Sequence, residues 1–140
     1  QRHGLHNQAR HRAMGDVDMV LAWLKQVRPD AVLALAGFSF GAWVALKTSE
    51  QVPPGLMVSI APPVGFRDFT DVRPPHCPWL AVQGEADEIV SAQTVLAWLS
   101  AQNPVPEIIM MPDTSHFFHG KLLALREQVR EFLSSNALSP

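Results

Sequence analysis

Three side chains of this 140-residue chain have the types and the order needed for nucleophilic acyl chemistry: Ser39, Asp87 and His116. A serine hydroxyl attacks a carbonyl only if a base takes its proton, and the base needs a third group to hold its tautomer. Ser39 lies within Gly37-Phe38-Ser39-Phe40-Gly41, directly after the apolar run Ala31–Ala36 and before the helix-like stretch Ala42–Ser49. This context predicts a tight strand-to-helix turn, with the serine backbone strained and its hydroxyl thrust out of the sheet. Both flanking glycines are expected to be obligatory, because side chains there would collide with the neighbouring strand and helix. The following helix would aim its N-terminus at Ser39, so that the Phe40 backbone N–H could hold a developing oxyanion.

Base and acid follow in the chain order that suits such a serine. A buried strand is predicted at about 79–83, running into Gln83-Gly84-Glu85-Ala86-Asp87-Glu88. Open α/β sheets place functional groups at the carboxyl ends of their strands, which is where this acidic loop falls. A further strand, 107–111, leads into Pro112-Asp113-Thr114-Ser115-His116 and then a helix. On the residues alone, Glu85 and Glu88 compete with Asp87 as the orienting acid. Asp113 is a weaker rival, read as a turn former before Thr114.

Other reactive types are read as inert. His119 stands three residues beyond His116 without a third ligand at fixed spacing, so no metal is expected. His3, His6 and His11 are read as part of a solvated leader. Cys77 adjoins His76, but neighbours in an extended segment point in opposite directions and do not form a nucleophile pair. Trp23, Trp43, Trp79 and Trp98 are read as packing residues. No cofactor is expected.

These side chains need a scaffold, and the pattern predicts an α/β fold with a mostly parallel sheet and helices on both faces. Four strands are legible, at about 31–36, 56–61, 79–83 and 107–111. The first is apolar throughout, as for a strand covered on both faces. Asp16 can cap a helix carrying Val17, Val20, Leu21, Leu24 and Val27, closed by Pro29. Ser91 can cap another with Val95, Leu96 and Leu99 inward. A last helix, about 121–133, would present Leu122, Leu125, Val129, Phe132 and Leu133, with 134–140 as a frayed tail. Between strands, residues 62–78 hold Pro62, Pro63, Pro74, Pro75 and Pro78 and little periodicity. Such a stretch is too short for a cap domain, and Phe66 and Phe69 are its expected pocket-facing side chains. Phe38, Phe40, Phe117 and Phe118 should make the remainder of the pocket apolar.

Composition narrows the partners. A formal charge of −2 offers no electrostatic footprint for nucleic acid or an anionic membrane. One cysteine among 140 residues excludes an internal disulfide framework and fits a reducing, cytoplasmic setting. No apolar run approaches a membrane span, and Gln1 to His6 shows no signal-peptide core.

At the elbow, the acid and the histidine the chain resembles the α/β-hydrolase superfamily. It is most similar to small bacterial serine hydrolases without a cap domain that carry Ala-Gly-Phe-Ser-Phe-Gly-Ala. The matching pieces are Ala36–Ala42, Ser59–Pro63, Gln83-Gly84 with Ala86–Val90, and Met111–Phe118, within a resemblance covering about residues 16–135. It implies Ser39 as nucleophile, His116 as base and Asp87 as acid. The implied activity is cleavage of a small ester or thioester. Acyl transfer or perhydrolysis is a weaker possibility, and a non-catalytic interaction module the rival from another class. The resemblance also implies a sheet of about eight strands with 31–36 central. The expectation is therefore a single domain, 1–140, equal to the C-terminal two-thirds of a hydrolase domain with an irregular leader at 1–15. Strand 31–36 would need its N-terminal half or a second subunit to cover it.

Overall fold

The computed structural model describes residues 33–136. The predicted helix after Asp16, the leader with its histidines, Trp23 and the first residues of the 31–36 strand lie outside that range. The described chain runs β1 (Ala34–Phe38), α1 (Phe40–Ser49), β2 (Leu56–Ile60), β3 (Trp79–Gly84), α2 (Ala92–Ser100), β4 (Glu107–Met111) and α3 (Leu122–Ser135). The strands lie side by side in chain order, all parallel. Parallel neighbours require crossovers, and α1 and α2 supply two of them. No helix among the described residues is long and apolar enough to cross a membrane.

Alternation along each strand divides the core in two. One face presents Met57, Trp79 and Ala81 and packs on α1, α2 and the proline-rich loop through Trp43, Leu46, Phe69, Val95 and Leu99. Helix α1 is apolar almost all round because almost all of it is buried: Ala42 to Leu46, Thr48 and Ser49 lie inside. Trp43 ties the loop down by donating its indole N–H to the Asp68 carbonyl at 3.3 Å. The opposite face presents Leu56, Val58, Leu80 and Val82 and packs on Phe132 of α3, with Leu125 and Val129 partly buried.

Several expectations shift. Strand β1 begins at Ala34 and takes in Gly37 and Phe38. Among the described residues it is not covered on both faces: Ala34, Ala36 and Phe38 are exposed while Leu35 and Gly37 are half-buried. Ser91 does cap α2, accepting the Thr94 N–H at 3.3 Å, yet Leu96 faces solvent. Helix α3 continues through Ser135, where a frayed tail was expected from 134. Of its apolar stripe only Phe132 is fully buried, and Leu122 and Leu133 are exposed. The reason is geometric. Helix α3 lies against β3 and β4, and the part of its stripe that reaches past them toward Ile60 meets no further layer among the described residues.

Candidate active site

Ser39 occupies the turn between β1 and α1 at φ 55°, ψ −120°, a region costly for a residue with a Cβ. The turn persists because its ends are pinned. The Ser39 N–H donates to the Ile60 carbonyl at 2.8 Å, and its own carbonyl accepts the Ala42 N–H at 2.8 Å. A Cβ on Gly37 would lie 2.1 Å from the Gly41 carbonyl oxygen, so only glycine fits there. The expectation for Gly41 is corrected: a Cβ at that position meets nothing within 4 Å. As the first residue of α1, Phe40 has no intrahelical acceptor for its N–H.

Asp87 lies in the loop after β3, with no side-chain exposure. Its Oδ1 accepts the backbone N–H groups of Ile89 and Val90, both at 2.8 Å. Its Oδ2 accepts from His116 Nδ1 at 2.7 Å and from Gln83 Nε2 at 3.0 Å. Burial pushes this carboxyl up, but the bonds from Val90, His116, Ile89 and Gln83 outweigh it and hold Asp87 below the usual carboxylate range. An ionised carboxylate only accepts, so Nδ1 of His116 donates to it, and in the neutral imidazole Nε2 is then the acceptor. The Ser39 hydroxyl lies 3.0 Å from that Nε2. Residues 39, 87 and 116 thus meet in one continuous chain of hydrogen bonds.

The loop bearing His116 is clamped onto the loop bearing Asp87. A Cβ on Gly84 would stand 2.3 Å from the Thr114 carbonyl oxygen, so glycine permits the two strand ends to touch. The Glu85 and Ala86 N–H groups donate to Met111 and Thr114 carbonyls at 2.9 and 3.0 Å. Asp113 takes φ 52° in the turn, in keeping with its reading as a turn former. Glu85 and Glu88 are exposed, and the His116 ring nitrogens bond to Asp87 and Ser39 instead of to either carboxylate. Glu88 has a job the sequence did not reveal: its Oε2 accepts the His116 backbone N–H at 3.2 Å. Gln83 was also missed. A polar side chain closing the apolar run Trp79–Val82 was the available signal.

Of the expected pocket side chains, Phe38 and Phe117 flank His116 with ring centroids at 5.3 and 5.0 Å, both partly open to solvent. Phe69 is corrected. It is buried in the core, edge-on to Trp98 at 4.9 Å, because the proline-rich loop packs onto α1 and α2. Phe118 is likewise core, 1 % exposed, its ring edge-on to Phe38 at 6.5 Å. Phe66 is exposed on the same loop and makes no ring contact with His116, Phe38 or Phe117. Phe40 stacks on Trp43, with the Arg67 guanidinium 4.6 Å above its ring. Burial pushes the Cys77 thiol up, opposite to an activated nucleophile. The His119 backbone N–H donates to Ser115 Oγ. Among the described residues no three His, Cys, Asp or Glu side chains converge as metal ligands would.

Comparison with known proteins supplies relatives. No protein-family model matches the chain. An α/β serine hydrolase without lid from Xanthomonas campestris is 44% identical, with a TM-score of 0.84 over 91% of this chain and 58% of that one. An α/β serine hydrolase homologue from Coxiella burnetii is 36% identical, with a TM-score of 0.77 over 82% of this chain and 55% of that one. An uncharacterised protein of Rickettsia prowazekii is 33% identical over 128 residues, 84% of this chain and 54% of its own length. The chain therefore spans little more than half the length of the relatives it matches.

Proposed function

Since the chain belongs to the α/β-hydrolase superfamily, we propose that it is a serine hydrolase cleaving a small ester or thioester through an acyl-enzyme. The observation that carries the proposal is the unbroken contact from Ser39 Oγ to His116 Nε2 at 3.0 Å and from His116 Nδ1 to Asp87 Oδ2 at 2.7 Å. Ser39 is the nucleophile, His116 the base and Asp87 the group that holds the imidazole tautomer.

In the first half-reaction Ser39 Oγ adds to the substrate carbonyl carbon while its proton passes to His116 Nε2. The Phe40 N–H, at the positive end of α1, stabilises the resulting oxyanion. Collapse breaks the bond to the leaving oxygen or sulfur, which departs with the proton from Nε2 and leaves the acyl group on Oγ. Water then repeats the sequence, releasing the carboxylic acid and restoring Ser39. Phe38 and Phe117 beside His116 favour a short acyl chain or a small aromatic ester over a charged substrate. Val64, Phe69 and Val72 anchor the proline-rich loop in the core, and Arg67 of the same loop sits 4.6 Å above the Phe40 ring.

The test is covalent labelling with a fluorophosphonate, alongside hydrolysis of p-nitrophenyl acetate. Ser39 should carry the label, and Ser39→Ala should abolish both labelling and turnover. Label retained by Ser39→Ala on another residue sinks the assignment. A chain that neither labels nor turns over is the non-catalytic module instead.

A further inference from the structure

We propose that Gln83 is a positioning residue of this site: its buried side-chain amide holds the Asp87 carboxylate in the orientation that receives His116. The proposal rests on the roles given above to Ser39, His116 and Asp87.

Gln83 is the penultimate residue of β3 and has no solvent exposure, in a strand otherwise made of Trp79, Leu80, Ala81, Val82 and Gly84. Its Nε2 lies 3.1 Å from the Gly84 carbonyl oxygen and 3.0 Å from Asp87 Oδ2. Both are acceptors, so the nitrogen end of the amide must face them and the group cannot be flipped. Its Oε1 is then buried with no hydrogen-bond partner among the described residues. An unpaired buried carbonyl is destabilising, and methionine would fill the same length without that defect. Packing therefore does not account for a glutamine here, whereas the bond to Asp87 does.

The two carboxylate oxygens differ in how they are held. Oδ1 is fixed by the backbone N–H groups of Ile89 and Val90, within its own loop. Oδ2 has two donors: His116, the ring it must orient, and Gln83. Without Gln83, Oδ2 would keep His116 as its single donor, and the carboxylate would be held from outside that pair only through Oδ1. Gln83 adds a hold on Oδ2 itself that is independent of His116, and β3 anchors it, paired on both sides by β2 and β4. The bond reaches Asp87 from a rigid element, where supporting contacts are most effective.

The experiment uses the 140-residue chain and Gln83→Met, which keeps the length and removes both donors. Turnover of p-nitrophenyl acetate should lose kcat by about tenfold, with KM nearly unchanged, in a wild-type background. In an Asp87→Asn background the same substitution should cost less than about twofold, because the group it acts through has gone. Equal losses in both backgrounds would mean a structural role and overturn the proposal. So would an unchanged kcat. A second arm needs neither turnover nor a variant at position 83. In the unaltered chain the Gln83 side-chain amide protons, followed by NMR, should shift as Asp87 titrates, and the shift should vanish in Asp87→Asn. Amide protons that ignore the titration overturn the proposal even if the chain proves inactive. An unlabelled Ser39 with a responsive Gln83 amide would instead count against the hydrolase reading alone.

Discussion

Ser39 holds a backbone conformation, φ 55° and ψ −120°, that glycine would adopt with far less strain. Such strain costs on the order of 1–3 kcal/mol and persists only where surrounding contacts impose it. Ser39→Gly should therefore unfold at higher urea than Ser39→Ala, although both lack the hydroxyl. Equal midpoints would show that the turn is relaxed. Asp87 carries the pH dependence at this scale. Its hydrogen bonds hold the folded carboxyl below the unfolded value of about 3.9. Its contribution to stability is therefore complete above that pH and is lost as pH falls through the lower, folded value. Urea midpoints measured from pH 6 to pH 2 should fall more steeply for the natural chain than for Asp87→Asn. Parallel curves would contradict the shift.

The strand-to-helix connection is the element on which the site depends, and its two glycines are not equivalent. Gly37→Ala would drive a Cβ into the Gly41 carbonyl at 2.1 Å, which the pinned turn cannot relieve. It should destabilise the fold severely and misplace Ser39. Gly41→Ala meets open space in the first turn of α1 and should raise stability by at most about 0.5–1 kcal/mol, the helix-interior value, through helix propensity alone. Chemical denaturation of the two variants checks both signs. A tolerated Gly37→Ala would mean that the turn can open without penalty. At the carboxyl end of β3 Gly84 plays the same part, allowing the Thr114 carbonyl to sit against β3 and so bring two loops into register.

Among the described residues, one sheet face is closed and the other is only half covered. Helices α1 and α2 close the first. On the second, Ala34, Ala36 and Phe38 of β1 lie exposed beside Leu56, Val58 and Ile60, their partners in register. An apolar groove of about 470 Å³ runs between Ile60 and the α3 residues Leu122, Leu125, Val129 and Leu133. Exposed apolar surface of this kind, continuous with β1, the edge strand among the described residues, promotes association. The 140-residue chain should bind a hydrophobic dye such as ANS and sediment as concentration-dependent oligomers. Ala34→Lys and Leu133→Lys should weaken both effects. A dye-silent monomer at high concentration would show that this face is covered.

The sequence by itself determined the local rules. Strand-turn-helix patterning located Ser39, the last two strands located the acidic loop and His116, and the Ser91 cap marked the start of α2. These are legible because apolar period, glycine and caps act over a few residues. Only the tertiary structure decided what depends on distant partners. The residues alone leave Asp87, Glu85 and Glu88 open, and only the resemblance implies Asp87. That it is Asp87 that meets His116 is a matter of loop register, fixed by Gly84 against Thr114 across two strands. That Phe69 and Phe118 fill the core while Phe38 and Phe117 face the histidine depends on which way each loop folds over the sheet. Leu122, Leu133 and Leu96 show the converse. Their spacing marks an apolar stripe, but a stripe is buried only where another layer lies against it, and periodicity carries no information about how far that layer extends.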